Sequence, residues 1–366
     1  MVLINVRKAS VRMKSKCCRF GILCAICVLP IVQSCREKRE KNFLLFPEKE
    51  QLVSKTTDTI PLGENLILLG NINQCLSLSD TSFLVTDGRH VVVYGMDGRQ
   101  LAVVSERGHA RNEYVNVGAM YASSRYIYLW CNMTLKLLQF THDGEFVGKY
   151  EGTDKAINKF VVQDDSLVYY CVTGHDDYLL NVYDLKNGKL LEEAGELDNE
   201  DIMLFFNNHS GALALWHDEV LFMSPSRMDL MSMRGAQYSG VVGTVADKDF
   251  SCAEVKTNPR DEVDIDIREV YDYLLKNSMV AGMYADDTLL CIMTETGEFH
   301  PQKDTLQTAG RNLNLFFLGK GYKPLRAVRA GYPVGTSCYY YYHGCLYVLL
   351  NRPDTGKYEI LKYQVG

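Results

Sequence analysis

The feature that most constrains the fold of this chain is a strand pattern that recurs about every 40 residues. Each copy reads strand, polar turn, strand, second turn, strand. The turns of the first three copies carry Asp-Gly or Asn-Gly, a strong hairpin signal because type I′ turns need positive φ. The copies begin with FLVTD (83–87), YIYLWC (126–131), SLVYYCV (166–172), GALALW (211–216), MVAGMYA (279–285) and SCYYYY (337–342). This interval is typical of one four-stranded propeller blade, so the pattern predicts an all-β, six-bladed β-propeller over residues 55–366.

Two further β-like segments precede the first copy, TTDTIPL (56–62) and NLILLG (65–70). We expect an N-terminal strand to complete the last blade, because closing the ring removes exposed strand edges that would template aggregation. The alternative architecture is a two-sheet sandwich. The strands of a sandwich would not usually recur as hairpin triplets at near-constant spacing.

One segment breaks the strand pattern. Residues 261–277 place apolar side chains at helical spacing, with acidic residues in the first turns and Lys276 near the end, as the helix dipole favours. The segment predicts a helix inserted between blades four and five. It either covers the central opening of the propeller or packs on its rim.

The N-terminus resembles a secretory signal. Residues 1–34 hold six basic residues and no acidic one, and the apolar run 20–32 is too short for a membrane span of about 20 residues. The segment ends in IVQSC, which resembles a bacterial lipobox and makes Cys35 the predicted lipidated residue. An ordinary signal peptide is the alternative. Translation starts at Met1 or at Met13.

The residues after Cys35 are charged, and we expect 35–54 to be a solvated tether between the lipid and the propeller. Residue 36 is Arg rather than Asp, so the common signal for retention in the inner membrane is absent. The prediction is therefore a lipoprotein of the cell envelope, in the outer membrane, with the side it faces left open.

Charge argues against one class of partner. Because all six basic residues of 1–34 leave with the signal peptide, the remaining chain carries 33 Lys and Arg against 45 Asp and Glu, a net charge of −12. Such a chain repels nucleic acid, whose binding depends on neutralising phosphates. The remaining chain also lacks metal-ligand spacings such as CxxC, and we assign no metal site and no cofactor.

The segment RGHARNEY (107–114) resembles a motif of six-bladed, TolB-like or NHL-like propeller lipoproteins of gut anaerobic bacteria. Gly108, Asn112, Glu113 and Tyr114 match that motif, whereas Ala110 and Arg111 stand where the family carries Gly-Pro. Because the function of the family is largely unknown, the resemblance implies an architecture rather than a chemistry.

The same segment provides the candidate ligand-binding residues, which are Arg107, His109, Arg111, Glu113 and Tyr114. In a structural interpretation, Glu113 accepts backbone hydrogen bonds and Tyr114 packs between blades. In a functional one, the basic side chains present positive charge to a carboxylated sugar or a peptide terminus.

Two other features leave alternatives open. The run Tyr339–Tyr342 alternates between the two faces of a strand and serves either interface packing or stacking on a sugar. Cys338 and Cys345 flank the adjacent hairpin turn and could form a disulfide.

These observations favour a binding module for a protein or carbohydrate ligand, with no catalytic residue assigned. The alternative is a hydrolase or lyase with a metal in the central channel, held by residues of separate blades. A role in assembly beside an outer-membrane transporter is a third possibility.

Overall fold

The computed structural model describes 42–52, 58–62, 72–105, 107–110, 112–151, 155–164, 166–171, 177–207, 210–256, 259–260, 266–297, 300–301, 308–309, 311–331, 333, 336–352 and 357–365. All of these residues belong to one unit, Lys41–Gly366. The predicted signal peptide and Cys35 lie outside them. Within these ranges, no helix is long and apolar enough to cross a membrane.

The described strands form four sheets of four strands, two sheets of five strands and one two-stranded ribbon. Three short strands come first along the chain: β1 (Phe43–Leu44), β2 (Glu50–Gln51) and β3 (Asp58–Pro61). Sheet 1 contains β4 (Gln74–Ser79), β5 (Ser82–Thr86), β6 (Val91–Gly95) and β7 (Gln100–Ser105). Sheet 2 contains β8 (Ala119–Ala122), β9 (Tyr126–Cys131), β10 (Lys136–Thr141) and β11 (Phe146–Glu151). Sheet 3 contains β12 (Ile157–Gln163), β13 (Ser166–Cys171), β14 (Tyr178–Asp184) and β15 (Lys189–Glu196).

The other sheets each recruit one of the three N-terminal strands. Sheet 4 contains β16 (Ala212–Trp216), β17 (Glu219–Met223), β18 (Asp229–Arg234), β19 (Gln237–Val245) and β1. Sheet 5 contains β20 (Met279–Ala285), β21 (Leu290–Thr296), β24 (Asn312–Gly319), β25 (Lys323–Gly331) and β2, and the ribbon of β22 (His300–Pro301) and β23 (Thr308–Ala309) interrupts it. Sheet 6 contains β26 (Thr336–Tyr342), β27 (Cys345–Arg352), β28 (Lys357–Gln364) and β3.

The first strands of the sheets form a closed circuit. β4 contacts β8, β8 contacts β12, and the contacts continue through β16, β20 and β26 back to β4. Sheets that meet through their innermost strands around a common centre define a β-propeller. The predicted all-β propeller fold is therefore confirmed.

The N-terminal strand closes the ring as the sequence predicts. β3 pairs antiparallel with β28, with Ile60 opposite Ile360, so the last sheet is built from both ends of the described chain. Ile60 and Ile360 are both buried and belong to the apolar cluster between sheets 6 and 1. Backbone hydrogen bonds and apolar burial therefore act together at the closure.

Part of the predicted tether is structured instead. β1 pairs in parallel with β19, and β2 pairs in parallel with β25, so 42–52 runs along the outer edges of sheets 4 and 5. An outermost strand offers unpaired N–H and C=O groups, which a passing segment can satisfy. Leu44 is buried against Gly243, where a Cβ atom would lie 2.7 Å from the leucine side chain. The assignment of these residues to a solvated tether is thus wrong, and 35–41 lies outside the described residues.

Helices lie at two places. α2 (Ile267–Lys276) falls within the predicted segment 261–277 and lies between β19 and β20 along the chain. It begins after Asp266, whose side chain accepts a hydrogen bond from the Arg268 backbone at 2.9 Å. The predicted first turn, 261–265, lies outside the described residues. α1 (Asn199–Leu204) contacts α2 and is not predicted, because six residues are too short for a recognisable period.

The apolar core is divided into clusters between neighbouring sheets. Each sheet therefore buries both faces, which explains why its two middle strands are nearly continuous apolar runs such as Val91–Gly95.

Replacing Ile60 tests the closure. Ile60→Ala is expected to lower the free energy of unfolding by about 2 to 5 kcal/mol, because it removes a buried aliphatic side chain at the ring junction. Chemical denaturation measures the change. The neighbouring Thr59 is exposed on the same strand, and Thr59→Ala should stay within about 0.5 kcal/mol. Equal effects of the two substitutions would show that the strand does not carry the closure.

Candidate functional site

A cavity of about 520 Å³ lies at the centre of the ring. It is lined by the first strand of every sheet, so the closed circuit of inner strands creates it. The lining segments are 74–78, 120–124, 158–161, 213–215, 281–285 and 338–342.

The lining is neutral at every described position except one. Lys159 on β12 is the single charged residue among them, in a chain with a formal net charge of −6. Its neutral neighbours include hydroxyl and amide groups, such as those of Ser77, Tyr121 and Asn158. The cavity therefore combines one positive charge with polar and aromatic surface, an arrangement suited to a small anionic ligand.

Backbone carbonyls of two other sheets hold the Lys159 ammonium. Its Nζ donates to the carbonyl oxygen of Gly211, before β16, at 2.6 Å and to that of Ala281, on β20, at 2.9 Å. Burial lowers the pKa of Lys159 to about 7, and the negative charge of Glu295 opposes this shift. Lys159 as a whole residue is half-buried, and it belongs to the lining of the cavity.

Glu295 belongs to a buried polar cluster behind the cavity wall. Its carboxylate accepts from Arg311 at 3.1 Å and from the Tyr339 hydroxyl at 2.5 Å. Burial raises the pKa of Glu295, while the charges of Arg311 and Lys159 and the Tyr339 hydrogen bond oppose the rise. This cluster ties β21 to the segment before β24 and to β26, and it gives Lys159 a negative neighbour.

The four predicted ligand-binding residues that the structure describes, which are Arg107, His109, Glu113 and Tyr114, are not part of this cavity's lining. They lie in the connection from β7 to β8, where Gly108 N–H donates to the Tyr114 carbonyl and Ala110 N–H donates to Glu113 Oε2, at 2.9 and 2.8 Å. Tyr114 is fully buried between sheets 1 and 2. Glu113 thus accepts a backbone hydrogen bond and Tyr114 packs between two sheets, as the structural interpretation of this segment predicts.

In contrast to Tyr114, the described basic side chains of the β7–β8 connection lie at the surface. Arg107 and His109 are exposed, and Arg111 lies outside the described residues. A Cβ atom at Gly108 would lie 1.8 Å from Glu113 Oε2, so a side chain there would displace the end of the Glu113 side chain. A ligand role for Arg107, His109 and Arg111 stays a prediction.

The tyrosine run shows the predicted alternation. Tyr340 faces sheet 1 and stacks on Tyr347 with ring centroids 4.7 Å apart, whereas Tyr339 and Tyr341 face sheet 5. The rings of Tyr339, Tyr340, Tyr341 and Tyr347 are buried, so these tyrosines pack the interfaces between sheets. Tyr342 is half-buried.

The disulfide that Cys338 and Cys345 could form is absent from the structure. The turn between β26 and β27 consists of His343 and Gly344, so Cys345 lies opposite Tyr342 and Cys338 lies opposite Leu349. The two cysteines are therefore at different positions of the hairpin, and both are free thiols.

Sequence reasoning missed Lys159. It occurs in INKFVVQ, a segment without turn signals or a recognisable motif, and only the ring brings it to the centre. No group of three or more His, Cys, Asp and Glu side chains that could hold a metal ion is found among the described residues.

Among the solved structures that resemble this chain, two illustrate the shared fold. One, from Bacteroides fragilis NCTC 9343, is named as an exported protein; it has 12% identity and a TM-score of 0.57, over 84% of this chain and 88% of that one. The other is a member of the DUF4221 family from Bacteroides vulgatus ATCC 8482, with 11% identity and a TM-score of 0.55, over 88% of this chain and 98% of that one. No family model and no curated protein matches the sequence.

Substitutions in the β7–β8 connection separate its structural part from its exposed part. Tyr114→Ala should lower the free energy of unfolding by about 3 to 5 kcal/mol, because it empties a fully buried aromatic site between two sheets. His109→Ala should change it by less than about 0.5 kcal/mol. Urea denaturation of both variants measures this, and a large loss in the His109 variant would contradict the assignment.

Proposed function

We propose that this protein is an exported, lipid-anchored binding module that takes a carboxylate group of its ligand into the central cavity. The observation that carries the proposal is the position of Lys159, the single charged residue among the described residues of the lining. A carboxylate can replace solvent around a partly buried ammonium, and such charge-assisted hydrogen bonds are about twice as strong as neutral ones.

The proposal includes a ring of six blades. Six sheets with at least four strands each, joined by contacts between consecutive inner strands, support this count. A ring of this kind holds a cavity large enough for one sugar unit or one peptide end, not for a folded partner.

The proposed location is the cell envelope, with the chain anchored through Cys35, in the outer membrane. The basic, apolar and lipobox-like order of 1–35 supports it. The name of the Bacteroides fragilis neighbour as an exported protein agrees with it.

Two sources of carboxylate fit the cavity, an acidic sugar and the free carboxyl terminus of a peptide. A sugar would stack on tyrosine rings at the wall, and Tyr121, Tyr284 and Tyr342 are lining residues. A peptide end would use the amide and hydroxyl groups. The exposed Arg107 and His109 offer a second basic place for the same chemistry on the β7–β8 connection.

Calorimetric titration of Lys159→Gln tests the cavity. Galacturonic acid and an N-acetylated peptide with a free carboxyl terminus are each compared with a neutral partner, the methyl ester and the amidated peptide. The wild type should bind one acidic probe about 10 to 100 times more tightly than its neutral partner, and Lys159→Gln should lose that preference. Lys149→Gln, an exposed lysine on β11, is the matched control.

The same preference should depend on pH. Because the pKa of Lys159 is lowered to about 7, its ammonium loses its proton as the pH rises through this value, and the preference for the acidic probe should fall. At the alternative site on the β7–β8 connection, the positive charge comes from Arg107 and His109 and not from a lysine with a lowered pKa. A preference that survives both Lys159→Gln and alkaline pH, and disappears with Arg107→Gln, would move the site to the β7–β8 connection.

The anchor has its own test. Cys35→Ala should abolish incorporation of a radiolabelled fatty acid and release the protein from the membrane fraction. Cys27→Ala removes a cysteine from the apolar run and leaves Cys35, so it should keep both properties. Unchanged labelling of the Cys35 variant would rule out the anchor without affecting the cavity.

A further inference from the structure

Two thiols meet at the seam where the ring closes. Cys75 lies on β4 of sheet 1 and Cys338 on β26 of sheet 6, and their Sγ atoms are 3.0 Å apart. The two residues are 263 positions apart in the chain, and both are buried in the apolar cluster between these sheets. Only ring closure brings them together, because β4 and β26 belong to the first and the last sheet.

We propose that Cys75 and Cys338 form a disulfide when the chain folds in an oxidising compartment. The Sγ atoms need to approach by about 1 Å to reach the bond length of about 2.05 Å. The inference depends on the proposed export, since such bonds persist outside the reducing cytosol.

The reaction balances with a disulfide-bearing oxidant, such as a thiol–disulfide oxidoreductase or oxidised glutathione. One cysteine thiolate attacks the oxidant's disulfide and forms a mixed disulfide, which releases one thiol of the oxidant. The second cysteine attacks the mixed disulfide and releases the other thiol. Two cysteine thiols are oxidised, one Sγ–Sγ bond forms, and the oxidant takes up both electrons and both protons.

The burial of the two thiols determines at which stage of folding the disulfide forms. Burial and the neighbouring Cys338 raise the pKa of the Cys75 thiol well above its ordinary value, so Cys75 in the folded protein is mostly in the thiol form. The exchange is therefore expected during folding, before the seam is buried.

The other described cysteines have different neighbours. The Cys252 thiol contacts the Tyr273 hydroxyl at 3.1 Å, and the Cys345 thiol donates to Gln364 at 3.4 Å. Cys131 and Cys291 are buried on β9 and β21, the second strands of sheets 2 and 5. Cys75 and Cys338 are the one pair with a recorded Sγ–Sγ contact in this part of the chain.

The bond would close the ring a second time. β3 joins β28 by hydrogen bonds within sheet 6, whereas the disulfide joins sheet 6 to sheet 1 across the seam. A cross-link that spans 263 positions restricts the unfolded chain more than a short loop does, so its contribution to stability should be large.

The test begins with full-length protein from its own cells, lysed in N-ethylmaleimide to block free thiols. Proteolysis without reductant and mass spectrometry should then find the peptides of Cys75 and Cys338 joined, and Cys345 alkylated. Refolding the purified protein with oxidised glutathione should give the same linked peptides. Alkylation of both residues after that refolding would overturn the pairing.

Thermal unfolding provides a second readout. Under oxidising conditions, Cys75→Ala, Cys338→Ala and the double variant should each lower the midpoint by about 5 to 10 °C, with no further loss in the double variant. Cys345→Ala is the buried-cysteine control and should show the same small shift with and without reductant. Independent, additive losses from the two single variants would contradict the bond.

The two arms also separate this pairing from the proposed export. Linked Cys75 and Cys338 peptides in both the protein from cells and the refolded protein support the disulfide and the export. Linked peptides after refolding, with free thiols in the protein from cells, support the pairing and contradict export.

Discussion

The antiparallel pairing of β3 with β28 is the interaction on which the rest of the structure depends. It joins the N-terminal side of the described chain to the C-terminal strand, so that sheets 1 and 6 become neighbours. Without β3, β28 would be an open edge with unpaired backbone groups, and Ile360 would lose its partner Ile60. The circuit of inner strands, and the cavity that they enclose, follow from this contact.

The closed circuit also explains why the cavity contains a lysine. Inner strands turn their free edges towards the centre, so carbonyls such as those of Gly211 and Ala281 need donors there. Lys159 satisfies both and joins three successive sheets. Desolvation disfavours its charge and lowers its pKa, while the carbonyls and Glu295 favour the charge. The residue that supports the wall is therefore also the one that a carboxylate would neutralise.

The sequence could predict the features that depend on local signals. Hairpin turns, the closing strand near Ile60 and the helix Ile267–Lys276 all have short-range patterns that survive without tertiary contacts. The inner strands β4 (QCLSLS) and β12 (INKFVVQ) have no such pattern, since five of the six residues of β4 and three of the seven residues of β12 are only half-buried. Lys159 and the Cys75–Cys338 contact arise only from ring closure, which brings together residues far apart in the chain.

In the proposed binding mode, Lys159 selects the ligand by charge, because it is the single charged residue among the described residues of the cavity lining. The chain without 1–34 has a net charge of −12, which repels polyanions such as nucleic acid at its surface. Exposed charges are screened beyond about 8 Å at physiological ionic strength, so a molecule with one carboxylate meets little opposition before it reaches the cavity. There the nearby Lys159 ammonium dominates, because its field is screened less by water. If the proposed binding mode is right, surface and cavity together would favour small, singly charged acids over large anions.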